Sequence, residues 1–265
     1  MLNSVLTKTL HDRRRGFLGW SLGLIGLTAL IAAYWPSVRD SPDLQRFVED
    51  LPEAVKALTG EGDYSTPLGY LNAELFSFMI PLLFLAVAIG MGARAVAAEE
   101  ERGTIDLLMS MPITRRRMLL EKIAAGVLVL AGLGAVLFAA CLLGSAVSGM
   151  DLPVGRLAQI SLATVLLALP FGALALALGC LTGARGLALG LTSAAAVAAY
   201  MLNALAPLVE SLSDYRDLSP FAWYASDEVL SGDGLALWRA AMMAGVPVVL
   251  ASLAVVALER RDLRA

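Results

Sequence analysis

The sequence predicts an all-α integral membrane protein with about six transmembrane helices, and three observations predict it. Hydrophobic residues make up 58% of the 265 residues and charged residues only 16%, against about 45–50% and about 25% in soluble domains. That is more apolar surface than a chain of this length can bury in its own core, so lipid must cover the remainder. The apolar residues fall into six long runs, and the basic residues gather in alternate connections between them.

A spanning helix needs about 20 mainly apolar residues, and the stretches 16–35, 73–97, 118–147, 157–181, 186–206 and 237–258 supply them. Residues Gly16 to Tyr34 carry no charge, a longer run than the about 7–15 apolar residues of a secretory signal. The first stretch is therefore expected to be a retained span. Upstream, Leu2, Val5, Leu6 and Leu10 follow helical spacing beside Lys8 and Arg13, so residues 1–15 predict an amphipathic helix on the inner membrane surface. The single histidine, His11, stands beside Arg13, Arg14 and Arg15 and reads as an interfacial residue, not a ligand. The third stretch is long enough to project beyond the bilayer. Pro81, Pro170 and Pro247 fall inside spans and predict kinks whose freed carbonyls neighbouring helices re-satisfy.

Orientation follows from the basic residues. With the N-terminus inside, the inner connections hold 14 of the 20 basic residues, and only Arg39, Arg46, Lys56, Arg156, Arg216 and Arg239 lie outside. The outer side carries 15 of the 23 acids, so the faces sum to +6 and −9. Both termini are thus expected in the cytoplasm.

Two outer segments, 36–72 and 207–236, are too long for simple turns. In the first, Leu44, Phe47, Val48, Leu51, Val55 and Leu58 keep mostly helical spacing. The second contains LSPFAWYASDEVLSG, bounded by proline and glycine, which favours short helices dipping into the membrane. Small residues mark close helix contacts. Gly19, Gly23 and Gly26 form one such stripe, and Ala168, Gly172, Ala175, Gly179 and Gly183 another; each suits either packing within one subunit or a dimer seam. Cys141 and Cys180 both sit in apolar runs and read as small buried hydrophobes, with no disulfide framework or metal cluster to be built from them.

The inner connection between spans two and three, residues 98–117, carries most of the information. Within AAEEERGTIDLLMSMPITRRRMLLEK, the charged residues Glu99, Glu100, Glu101, Arg102 and Asp106 come first. Ile105, Leu107, Leu108, Met109 and Met111 follow, Pro112 stops the helix, and Thr114 can cap the next one before Arg115, Arg116 and Arg117. A short helix with apolar residues around much of its circumference needs a protein or membrane surface to cover it. Physical chemistry alone leaves an interfacial anchor and a docking element equally open.

This run resembles the signature of permease subunits of bacterial ABC exporters of the second type, the six-helix group related to sterol and drug half-transporters. Glu99, Glu100, Gly103, Thr104, Leu107, Leu108, Pro112, Thr114 and Arg115 match its acidic doublet, Gly-Thr, aliphatic run and Pro-hydrophobic-Ser/Thr-Arg. The stretches at 52–60 and 63–83 are also similar to members of this family. The resemblance implies a transport subunit without catalysis of its own, in the bacterial inner membrane. It implies that residues 98–117 form a coupling segment seated on an ATPase subunit, with Glu99, Glu100, Gly103, Thr104, Ile105, Leu107, Leu108, Met111, Pro112 and Arg115 making the contact. It further implies that the N-terminal helix touches the ATPase, that re-entrant helices precede span six, and that two copies build one pathway. Gly19, Gly23, Gly172 and Gly179 are the expected helix-packing positions. ATP and magnesium are then expected on the partner ATPase; membrane lipid is a further partner, and nucleic acid is not.

The residues agree on one point independently. A Walker A loop needs Gly-Lys-Ser/Thr, whereas the three lysines follow Thr7, Val55 and Glu121. Two other classes compete with a transport subunit. A membrane-embedded enzyme would concentrate ionisable groups inside spans, but the deeper positions offer only Gln159, Thr164, Thr192, Ser193 and Asn203, with Glu74 and Arg239 near the outer ends. A non-catalytic assembly or sensor protein would show no dependence on an ATPase. The topology is tested with single cysteines in a chain lacking Cys141 and Cys180. Cysteine at Ser65 or Ser231 should react with an impermeant maleimide added to intact cells, and at Ser4 or Arg264 should not; labelling at 264 would exclude six spans.

Overall fold

The computed structural model describes residues 4–39, 41, 52, 55, 64–101 and 114–260. Among these residues every regular element is helical. In chain order they are α1 (Val5–Arg39), α2 (Pro67–Leu71), a π-helical turn (Asn72–Phe76), α3 (Met79–Arg94), α4 (Ala97–Glu101), α5 (Arg115–Ser148), α6 (Val154–Thr182) and α7 (Arg185–Leu205). There follow α8 (Glu210–Ser213), a 3₁₀ turn (Arg216–Leu218), α9 (Pro220–Tyr224), α10 (Ser226–Ser231) and α11 (Leu237–Arg260). Six of these are long and apolar enough to cross a membrane, counting Pro67–Arg94 as one. They alternate in direction. The start of α1, the end of α3, both ends of the 98–117 connection, the start of α7 and the end of α11 meet at one end of the bundle, the basic end.

Local chemistry accounts for the boundaries. Thr66 caps α2, its Oγ1 accepting from Gly69 N at 3.1 Å with Pro67 in the first helical position. Thr114 caps α5 in the same way, accepting from Arg117 N at 3.3 Å. Gly149 (φ +69°) ends α5 and Gly183 (φ +67°) ends α6, where a side chain would strain the left-handed backbone. Helix α1 runs unbroken from the amphipathic residues 5–15 into the span. At 1.5 Å per residue its 35 residues reach about 52 Å, well beyond an about 30 Å hydrocarbon core.

The second span is bent before the proline that predicts the kink. The Ser77 amide and hydroxyl both donate to Asn72 O at 2.8 Å, the i to i−5 pattern of a π turn. Phe78 then leaves helical geometry (φ −141°, ψ −56°), and α3 restarts at Met79. Pro81 therefore sits in a first turn, where its missing N–H removes no helical bond.

Helix α6 is the hub. It packs against α3, α5, α7 and α11 and against the short helices α9 and α10. Of its most apolar 18-residue stretch 67% is buried, against 22% for α1 and α7 and 17% for α11, which form the perimeter. The contact with α3 is the closest. A Cβ added to Gly92 would stand 2.1 Å from Gly172 O, and one on Gly172 would press on Ala88 at 3.3 Å. Gly179 faces Ala93 and Ala97 at ordinary contact distance. The span-four stripe thus packs inside the subunit, whereas Cβ atoms on Gly19 and Gly23 would meet nothing within 4 Å.

At the opposite, acidic end, α9 and α10 tuck between the spans, burying Phe221, Trp223, Tyr224, Val229 and Leu230. Ser219 caps α9 through Phe221 N and donates to Ala199 O at 2.7 Å, fastening the segment to α7. Tyr224 Oη donates to Phe76 O at 3.0 Å, beside the bend in the second span, and lies 3.3 Å from Thr164 Oγ1 of α6. Arg156 donates to the carbonyls of Val229 and Gly232, and Arg239 grips both Glu228 oxygens. The helix expected around 44–58 falls, apart from Pro52 and Val55, outside the described residues. Cys141 and Cys180 are both buried and unbridged.

Two predictions follow from this packing. Gly92→Ala should lower the stability of the purified protein by about 1–3 kcal/mol, as for other overpacked cores. Gly90→Ala, with nothing within 4 Å, should not; equal unfolding midpoints for the two variants would contradict the close α3–α6 approach. The second concerns pH. The hydrogen bond from Arg239 holds the Glu228 carboxyl below the ordinary carboxylate value, against a smaller opposing effect of burial. A depressed carboxylate contributes stability above its unfolded pKa and loses it as pH falls through its folded pKa. The stability gap between wild type and Glu228→Gln should therefore be present at neutral pH and close below the normal carboxylate range. A gap constant with pH would show that the ion pair contributes nothing.

Candidate coupling site at the basic end

Helix ends leave backbone donors and acceptors unpaired, and at a membrane boundary they must find partners. At the basic end those partners come from the residues on either side of positions 102–113. Lys122 lies two turns into α5 with its side chain only 7% exposed. Its ammonium donates to Ala95 O at 2.5 Å, just past the end of α3, and pairs with the Glu99 carboxylate of α4. A buried ammonium is tolerated because it has both an anion and a carbonyl to satisfy it.

The other contacts repeat this logic. Glu101 Oε1 accepts from Arg185 N at 2.8 Å, the first amide of α7. Ala184, the residue in the cap position of α7, has no side chain able to do so, and a carboxylate suits the positive end of a helix. Arg115 Nη1 donates to Leu258 O at 3.3 Å in the last turn of α11, where a cation suits the negative end. Glu121 Oε2 accepts from Leu6 N at 3.0 Å in the first turn of α1, and its other oxygen takes Arg117 Nε at 3.0 Å. The ends of α1, α3, α7 and α11 are thus each held by a charged side chain from α4 or the beginning of α5. Beside them, Leu6, Thr114, Arg116, Leu120, Glu121 and Ala124 line a shallow surface hollow of about 320 Å³.

Of the expected coupling residues, Glu99 and Arg115 belong to this arrangement, and Glu100 lies half-buried on α4. Gly103, Thr104, Ile105, Leu107, Leu108, Met111 and Pro112 lie outside the described residues. Glu99 is engaged with Lys122 of its own chain, so its carboxylate has an internal use whatever else it contacts. Sequence reasoning missed Glu101, Glu121 and Lys122 as site residues. Lys122 had a signal: it follows Glu121 in a helix that is otherwise apolar for more than twenty residues, and ionisable groups there are rare and specific. The caps supplied by Glu101 and Glu121 had none, because they join positions 84 and 115 residues apart.

Six apolar helices of alternating direction, with charged residues gathered around one connection, define a multi-pass membrane protein. The profile of the family described as ABC-2 family transporter protein matches residues 4–263, nearly the whole chain, and the chain belongs to that family. Comparison with curated proteins finds no match. Membership makes this a membrane permease component of an ABC transporter, a transport subunit that works with an ABC ATPase.

Proposed function

We propose that the chain is the permease of an ATP-driven exporter in the bacterial inner membrane, with its basic end in the cytoplasm and residues 98–117 seated on the ATPase. The observation that carries the reading is the set of caps around that segment. A helix pushed by an ATPase moves a permease only if its flanks are tied to the spans, and α4 and the beginning of α5 are tied to the ends of α1, α3, α7 and α11. ATP and magnesium belong to the ATPase in this reading. Two copies of the chain form one pathway, a second copy meeting the perimeter helices because α6 is enclosed. The scarcity of charge within the spans favours amphipathic or lipid-like cargo over small ions.

Leu108 tests docking and Glu101 tests transmission. Burying a leucine contributes about 1.5–3 kcal/mol, and Leu108→Asp adds a charge, so it should sharply reduce ATPase co-purification at normal permease levels. Glu101→Ala removes only the cap of α7, so it should leave co-purification intact and lower cargo-stimulated ATP hydrolysis. Unchanged docking in Leu108→Asp would reduce the segment to an interfacial anchor and remove the main support for coupling through it.

A further inference from the structure

A cavity of about 550 Å³ opens at the basic end between α1, α3, α5, α6 and α11, and it is divided by chemistry. Its deeper wall is apolar, with Met91, Leu130, Leu169, Ala173, Pro247 and Ala251. Its rim carries Asp12, Arg13, Arg94, Glu99 and Lys122. The Lys122 ammonium and the Glu99 carboxylate satisfy each other. Thr9 spends its hydroxyl on Val5 O. Asp12 is exposed to solvent at the rim. What remains is a pair of guanidiniums, Arg13 half-buried and Arg94 exposed, within electrostatic range of each other and of Lys122 through Arg13. Like charges gathered at the mouth of an apolar cavity repel one another unless an anion enters, and guanidiniums match a phosphate's geometry with paired donors. Val127 and Val248 also line the cavity while being exposed on the perimeter, so it is open towards lipid.

We propose that this cavity is a binding site for an anionic phospholipid, its phosphate held by Arg13 and Arg94 and its acyl chain lying along the apolar wall between α5, α6 and α11. Occupancy would neutralise the cluster beside α4 and fill the space between the first span and the hub helix. The site lies within one subunit, so it needs neither a second copy nor an ATPase. The inference uses the transport reading only for the basic end lying among lipid headgroups, and lipid binding to the purified chain is measured without transport.

The experiment titrates the full chain in neutral detergent with dioleoyl phosphatidylglycerol or dioleoyl phosphatidylcholine and counts bound lipid by native mass spectrometry. Phosphatidylglycerol should bind preferentially. Arg13→Gln with Arg94→Gln should weaken it by about tenfold or more, the scale of a lost charge-assisted hydrogen bond, while Arg13→Lys with Arg94→Lys should retain part of the preference. Ala173→Phe, which narrows the apolar half with both arginines intact, should weaken binding of the same lipid several-fold. If the double glutamine variant does not fold, Ala173→Phe and Ala251→Phe together decide the matter. Equal binding of the two lipids, unchanged binding in folded glutamine or phenylalanine variants, or displacement by millimolar inorganic phosphate with Ala173→Phe without effect would each overturn the proposal, the last by showing a site for a free anion.

Discussion

The fold depends on one constraint, that a helix ending at a lipid boundary must have its last amides and carbonyls satisfied. Water does this freely for a soluble helix; near hydrocarbon an unmet group is costly. At the basic end the chain meets the constraint with charged side chains drawn from elsewhere in the sequence. Glu101 serves α7, Glu121 serves α1, Lys122 serves α3 and Arg115 serves α11. Each charge has the sign that the helix dipole favours at that end. The same residues flank positions 102–113, so what completes the helices also fastens both flanks of that connection to them.

The two ends of the bundle are built differently. At the acidic end the short helices α9 and α10 fill the space between spans with aromatic and aliphatic side chains, and Tyr224 reaches both the bend in the second span and α6. To this packing the Arg239–Glu228 ion pair and the Arg156 bonds add charged fastenings within the short helices and their flanks. At the basic end the ties are charged side chains set on helix termini, one each for α1, α3, α7 and α11.

The spans were legible because about 20 uncharged apolar residues have few other uses, and predicted limits such as 186–206 and 237–258 fall within two residues of the helices Arg185–Leu205 and Leu237–Arg260. The bend in the second span was legible only in part. Pro81 announced it, but the π turn at Asn72–Phe76 depends on Ser77 folding back to Asn72, for which no local pattern of apolar residues gives notice. Glycine stripes showed that close approaches exist without showing between which helices. Gly172 was read from its own helix, whereas its partner Gly92 becomes visible only when α3 and α6 are in contact. The caps at the basic end are the extreme case, since Glu101 and Arg185 share no periodicity at all. The acidic residues of the 99–101 run read alike in sequence, and their separate tasks come from tertiary structure.

The close α3–α6 contact sets the centre of the bundle, around which the outer helices are packed. Gly92 lies so close to the Gly172 carbonyl that no side chain fits between the two helices. Helices α1, α7 and α11 bury less of themselves, yet α1 packs along α5 and α11 along α6, and each of the three takes one capping bond at the basic end. The cavity rimmed by Arg13 and Arg94 lies across that division, walled by the core on one side and by α1 and α11 on the other. An occupant would therefore touch the α3–α6 core and both outer helices at once.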